Sequence, residues 1–233
     1  FVGAGTTSSA ACMDKAITKH IIESTYVKQA DYYLTDRFSF ASDPQGILKE
    51  IEEHFQGTYP LFVKPANAGS SVGISKAKNG LELFNAIRVA AEEDHKVLIE
   101  KAISGREIEV AVLGNRHPRA SLVGEILAAN EFYDYDAKYI NTESKTRILD
   151  DVSEEKQEEI QQAALTVYQA MGCRGLARVD FFLDGEETVI FNEINTLPGF
   201  TKISMYPKLW EATELPYREL LDTLIALAVD EME

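Results

Sequence analysis

Residues 175–195 restrict the fold more than any other stretch. GLARVDFFL (175–183) and TVIFNEIN (188–195) are apolar, β-prone runs separated by Asp-Gly-Glu-Glu. The pattern predicts a β-hairpin, which is stable only when other elements cover its apolar face. A two- or four-residue loop centred on Gly185 and Glu186 sets Leu183 opposite Thr188, residue 180 opposite 191 and residue 178 opposite 193. Opposed residues share a face, and faces alternate along each strand. Arg178, Asp180, Glu193 and Asn195 therefore project to one side, and Val179, Phe181, Ile190, Asn192 and Ile194 to the other. Asp180 and Glu193 become diagonal neighbours, roughly 7 Å apart by Cα. One hard cation bridges such a gap, because carboxylate oxygens bind Mg²⁺ at about 2.0–2.1 Å. A solvated polar face with an Arg–carboxylate pair fits the same pattern, and a loop one residue longer would turn one strand over.

The rest of the chain supplies the covering elements. Helical patterns span 13–24, 42–55 (with Ile47, Ile51 and Phe55 on one stripe), 79–94, 153–172 and 215–231. Strands are expected at 59–65, 72–77, 96–103, 106–114 and 120–127, with a turn at Asn115–Pro118. Residues 1–12, rich in Gly, Ser and Thr, read as a lead-in segment, and 128–152 as a long loop of the kind that is usually functional or disordered.

Composition narrows the function. A net charge of −15 opposes a nucleic-acid partner, which requires a basic surface. No apolar run reaches membrane-spanning length, and the N-terminus has neither signal-peptide order nor an initiator Met, as expected of a fragment or processed chain. Cys12 and Cys173 belong to no Cys-x-x-Cys motif and read as reduced core thiols. His20, His54, His95 and His117 show no ligand spacing, the acidic start of the 153–172 helix suits its dipole, and Trp210 reads as a packing anchor. The Gly-Ala-Gly at 3–5 precedes no dinucleotide-binding unit.

VKPANAGSSVGISK (63–76) is the second chemical signal. A buried strand delivers Lys64 into a Gly/Ser loop whose N–H and hydroxyl groups can cradle phosphate. The order, lysine before loop, differs from a Walker A motif, and a plain turn is Gly/Ser-rich too.

Together these segments resemble the ATP-grasp part of the D-alanine:D-alanine ligases. The likeness rests on SSAACMDK (8–15), LFVKPANAGSSVGISK (61–76), VLIEKAISGREIEVAVLG (97–114), EFYDYDAKY (131–139), GCRGLARVDFFL (172–183) and FNEINTLPGFTKISMYP (191–207), which span nearly the whole chain. It implies an α+β fold in which two α+β units grip ATP, a lead-in segment and central unit at 1–104 and a C-terminal unit at 105–233 with the metal and catalytic residues. It implies a reaction in which ATP phosphorylates the carboxylate of one D-alanine and the amine of a second D-amino acid attacks the acyl phosphate. The dipeptide would serve peptidoglycan synthesis in a bacterial cytoplasm, and the family is commonly dimeric.

The resemblance also assigns roles. Lys15 and Lys64 would bind phosphate, and Ser70 and Ser71 would sit over the phosphates and first substrate. Glu100, Lys101 and Ile103 would lie on the strand contacting adenine, largely through backbone, and Glu107 would accept from the ribose hydroxyls. Lys138 would close over the γ-phosphate on a loop locked by Tyr139. Asp180, Glu193 and Asn195 would ligate two Mg²⁺ (or Mn²⁺) ions. Arg178 and the Gly199 N–H would stabilise the oxyanion, and Ser204 would contact the second substrate's carboxylate. Phosphoryl transfer supports this set on chemical grounds, since it needs charge neutralisation and alignment more than a protein nucleophile. Two features depart from the family. The N-terminal domain whose acidic residue holds the first D-alanine is not in this sequence, so nucleotide binding with poor ligation is expected. INTESKTRILDD (140–151) is unusual and leaves D-serine open as second substrate. Another carboxylate–amine ligase, and a nucleotide-binding module without catalysis, are the competing readings.

Overall fold

The computed structural model describes residues 1–69, 71–127, 145–201 and 203–230. Two antiparallel-rich sheets, each with its own core, are connected by two short links, at 30–31 and 102–104. In the first, β2 (Tyr32–Asp36), β5 (Lys96–Lys101), β3 (Leu61–Pro65) and β4 (Ser75–Ala77) lie in the order β2-β5-β3-β4. Helices α3 (Arg37–Ser42), α4 (Pro44–His54) and α5 (Gly80–Glu93) cover one face and bury Ile51, Phe55, Leu83 and Ile87 against Leu61, Val63, Val97 and Ile99. Strict alternation leaves Phe62, Lys64, Leu98 and Glu100 on the opposite face. The helices start where short polar side chains satisfy exposed N–H groups: Asp36 accepts from Ser39, Asp43 from Gly46 and Asn79 from Glu82.

The second sheet runs β1-β10-β9-β6-β7-β8, built from β1 (Lys28–Gln29), β10 (Val189–Asn195), β9 (Leu176–Asp184), β6 (Gly105–Leu113), β7 (Arg119–Leu127) and β8 (Lys145–Ile148). All its pairings are antiparallel except β1 with β10. One face packs on α1 (Thr6–Met13), α2 (Lys15–Ile22) and α6 (Glu154–Ala170), with Ile108, Val110, Val179 and Phe181 against Cys12, Ile22, Ile160 and Val167. On part of the other face α7 (Met205–Ala212) and α8 (Tyr217–Asp230) bury Tyr206, Leu209, Trp210, Leu220 and Leu224 over Ala111, Leu113 and Ile126. Gly124 makes this seat, since a Cβ there would lie 2.8 Å from Leu209 Cδ2 and 3.0 Å from Met205. The uncovered remainder of that face carries the polar hairpin side chains.

Several expectations change. The lead-in segment contains α1, and the expected helix at 13–24 breaks at Asp14, whose extended backbone ends α1 and whose carboxylate caps α2 by accepting from Ala16 and Ile17. The residues before 28 share a core with the second sheet, since Ala4, Cys12, Ile22 and Val27 pack there. Within the expected 128–152 loop, residues 145–148 form β8, held by β7, while 128–144 lie outside the described residues. Cys12 and Cys173, distant in sequence, are free, buried and 3.8 Å apart by Sγ.

The hairpin register is also different. Val189, not Thr188, faces Leu183, and the pairing proceeds through Ile190–Phe182 and Phe191–Phe181. A β-bulge then inserts Asn192, so Glu193 faces Asp180 directly and Asn195 faces Arg178. Ile190 thus shares the polar side with Phe182, and Phe191 takes the buried place against Phe181, with ring centroids 6.1 Å apart. The bulge resolves a conflict in the sequence. Unbroken alternation would bury either Val189 and Phe191 together with Glu193, or Ile194 together with Asn192. The extra residue lets Val189, Phe191 and Ile194 all reach the core.

Candidate functional site

Strands β9, β10 and β6 build the site on one sheet face. Arg178 donates a fork to Asp180, Nε to Oδ1 and Nη2 to Oδ2, both at 2.7 Å. Asn195 Nδ2 also donates to Asp180 Oδ2, at 3.0 Å. On β6, Glu109 pairs in register with Asp180 and lies 3.2 Å from Arg178 Nε. Burial opposes the charge on Arg178, yet Asp180, Glu109 and Glu193 together raise its pKa well above the usual value. The guanidinium is therefore fixed in direction and in charge.

The first sheet and α2 supply the cations. Lys15 Nζ is 3.7 Å from Glu193 Oε2 and donates to the Ala68 carbonyl at 3.0 Å, joining α2, the Gly/Ser loop and the hairpin. Lys64 Nζ is 2.6 Å from Glu100 Oε2, and Lys19 Nζ is 2.6 Å from Glu100 Oε1. Burial works to lower the Lys64 pKa, but Glu100 overrides it, helped by Glu193 and Glu107, and the net shift is upward. Lys15, held at once by Glu193 on the hairpin and by Ala68 in the loop after β3, brings the first sheet and the polar face of the second together at one cleft. Glu107 projects from β6 on the cleft face, beside Phe182.

The remaining expected residues fall around this cleft. In the Gly/Ser loop Ser71 and Gly73 have φ of 62° and 71°, so the loop turns tightly after β3, and Ser70 lies outside the described residues. Lys101 ends β5, with its N–H donated to the Asp31 carbonyl at 3.0 Å. Ile103 is not on that strand as expected. The Ala102 N–H turns to the Pro60 carbonyl, and Ile103 lies on the 102–104 link between the sheets. Gly199 and Ser204 meet in the turn between β10 and α7, where a Cβ on Gly199 would lie 2.9 Å from Ser204 Oγ. Ser204 Oγ itself accepts from the Thr201 N–H at 3.0 Å. Lys138 and Tyr139 are outside the described residues.

Two residues of the cluster escaped the sequence reading. Glu109 was visible in the alternation of REIEVAVL, which puts Glu107 and Glu109 on the face opposite Ile108 and Val110. Lys19 was visible as a charge on the buried stripe Ala16, Lys19, Ile22 of α2.

The donors on the hairpin face are all hard. Asp180 and Glu193 offer carboxylate oxygens, and Asn195 an amide oxygen, which is the set that Mg²⁺ or Mn²⁺ prefers over thiolate-seeking metals. Among the described residues no three His, Cys, Asp or Glu side chains form a ready-made metal cage.

Known proteins share this chain's sequence and fold. Residues 21–226 match the family described as the D-Ala D-Ala ligase C-terminus. D-alanine–D-alanine ligase B of Clostridium tetani is 52% identical over 230 residues, covering 98% of this chain and 63% of the relative. The D-alanine–D-alanine ligase of Acetivibrio thermocellus is 53% identical over 230 residues, 98% of this chain and 61% of its own length. Among solved structures, the Coxiella burnetii D-alanine–D-alanine ligase superposes with TM-score 0.83 at 39% identity over 99% of this chain and 61% of that one. A D-Ala:D-Ser ligase of Enterococcus faecalis superposes with TM-score 0.85 at 38% identity over 97% and 64%. The chain thus spans about three fifths of the length of the relatives it matches. It has the ATP-grasp fold and belongs to the D-alanine–D-alanine ligase C-terminal family.

Proposed function

We propose that this chain provides the ATP-binding and bond-forming part of a bacterial cytoplasmic D-alanine–D-alanine ligase. The observation that carries the reading is the shared cleft, with Arg178, Asp180, Glu193 and Asn195 on one wall and Lys15 and Lys64 on the other. In this reading ATP lies between the sheets. Lys15 and Lys64 neutralise phosphate charge, the end of β5 and the 102–104 link receive adenine, and Glu107 receives the ribose hydroxyls. Asp180, Glu193 and Asn195 hold the divalent ions, which when bound screen the phosphate oxygens and align the γ-phosphate.

A D-alanine carboxylate oxygen attacks the γ-phosphorus, the bond to the bridging β–γ oxygen breaks, and ADP departs. The amine of the second D-amino acid then attacks the acyl carbon. Arg178 and the Gly199 N–H stabilise the oxyanion, and inorganic phosphate leaves as the amide forms and the amine gives up its proton. Ser204 is assigned to the second substrate's carboxylate. Likeness to a D-Ala:D-Ser ligase supports D-serine as the alternative second substrate.

The test is ADP release with ATP, Mg²⁺ and D-alanine by the protein at the full length of its relatives, run with a panel of second D-amino acids and mass identification of the products. D-Ala-D-Ala as the main product is expected, whereas D-Ala-D-Ser in excess would move the reading to the serine enzyme. Mg²⁺-independent nucleotide binding would remove the metal assignment.

A further inference from the structure

Lys19 has no place in the chemistry above, yet it is among the most deeply buried charges in the protein. Its side chain is 2% exposed, with Nζ 2.6 Å from Glu100 Oε1, 3.5 Å from the Ala30 carbonyl oxygen and 5.0 Å from the centre of the Tyr32 ring. The other Glu100 oxygen, Oε2, is 2.6 Å from Lys64 Nζ, and the Lys64 side chain is 14% exposed. One carboxylate therefore lies between two ammonium groups. Burial alone would raise the Glu100 pKa, but Lys64 and Lys19 hold it down at about 2.

The two lysines are not equivalent. Lys19, on α2, is almost sealed beside the Ala30 carbonyl and the Tyr32 ring. Lys64 is more exposed and feels Glu193 and Glu107 on the facing sheet. Only Lys64 can exchange its carboxylate partner for a ligand in the cleft. If it were the sole cation on Glu100, that exchange would leave a buried carboxylate without a counter-charge, which is strongly unfavourable.

We infer that Lys19 is a positioning residue for nucleotide binding, which keeps Glu100 charge-balanced so that Lys64 can turn to a phosphate. The inference rests on the nucleotide reading of the cleft. It makes Lys19 and Glu100 a resident pair and Lys64 the transferable member, so the phosphate meets a lysine whose departure leaves no buried charge unmatched.

The experiment measures Mg·ADP affinity by calorimetry and adenosine affinity by displacement, for the wild type, Lys19→Met, Glu100→Gln and the double variant. Lys19→Met is expected to weaken ADP on the order of tenfold or more while adenosine affinity stays put, because only phosphate binding draws on Lys64. In the Glu100→Gln background there is no charge to balance, so adding Lys19→Met leaves the ADP-to-adenosine ratio unchanged. Equal weakening of both ligands by Lys19→Met would make Lys19 a structural anchor and overturn the inference. Should the single variant not fold, a further loss of ADP preference in the double variant relative to Glu100→Gln overturns it instead, and an unchanged ratio supports it. A wild type that binds no Mg·ADP removes the nucleotide reading and the inference with it, an outcome distinct from the other two.

Discussion

Arg178 and Asp180, two residues apart on one face of β9, are joined by two parallel 2.7 Å hydrogen bonds, and Asn195 adds a third to the same carboxylate. The proposed metal ligand and the proposed oxyanion donor are therefore partners without a ligand. A cation arriving at Asp180 competes with the guanidinium for the same oxygens. Nucleotide binding should then depend on Mg²⁺ through residues other than Asp180 alone. Glu193→Gln is expected to weaken Mg·ADP binding by roughly 10–100-fold and to leave metal-free binding little changed, as titration with and without Mg²⁺ would measure.

Glu109 gives Arg178 a second carboxylate, 3.2 Å away, that does not have to serve a metal. Glu109→Gln should let the guanidinium follow Asp180 and lose its aim. A fall in kcat of roughly tenfold or more with nucleotide KM nearly constant is expected, since oxyanion donors act in the transition state. Loss of nucleotide affinity with kcat retained would place Glu109 with the phosphate instead.

Acid should unfold the protein through Glu100. Its folded pKa is depressed from 4.5 to about 2, so its ionised form stabilises the fold above about pH 4.5, and that contribution is lost as pH falls towards 2. The shift corresponds to up to about 3 kcal/mol. Asp14, capping α2 and paired with Lys96, is also depressed and acts in the same direction. In Glu100→Gln, urea midpoints measured from pH 6 to pH 3 should show a shallower decline than in the wild type.

Gly124 should not tolerate a side chain. Leu209 Cδ2 and the thioether end of Met205 occupy the space a Cβ would need, so Gly124→Val has to push these buried side chains of α7 out of their packing. A loss of about 1–3 kcal/mol in stability is expected from thermal or urea unfolding. Because α7 follows the Gly199–Ser204 turn, the second-substrate KM should rise while ADP affinity is kept.

Elements with one strong period were legible in the sequence. The helices at Gly80–Glu93 and Glu154–Ala170 show an apolar stripe behind an Asn or Ser cap, and both form. The central strands β6, β7 and β9 were visible for the same reason. Short or edge elements were not. Lys28–Gln29 has two residues and owes its state to pairing with β10, and Lys145–Ile148 pairs with β7 at the end of the sheet. Met205–Ala212 carries Pro207 inside the helix and is recognisable mainly from what it buries. The polar hairpin quartet was found on the correct face from an incorrect register. The bulge at Asn192 changes the parity of β10 midway, and the first half of that strand is where the reading fails, at Ile190 and Phe191. Charges inside apolar stripes were the signals passed over, since Lys19 and Glu109 each sit at a position that the pattern alone would give to the interior or the cleft.

That inserted residue also determines which kinds of sequence drift the protein withstands. Up to Phe191 the strand keeps time with the core, and beyond Asn192 it runs half a cycle later, with Glu193 and Asn195 outward and Ile194 inward. The phase of the chemistry is therefore set locally, by β9 and the Arg178–Asp180–Asn195 contacts, and not by counting from the hairpin tip. Side-chain changes at Gly185 and Glu186 are expected to leave the working end in phase, while Asp184, whose carboxylate accepts from the Glu186 and Thr188 N–H groups, holds the turn itself.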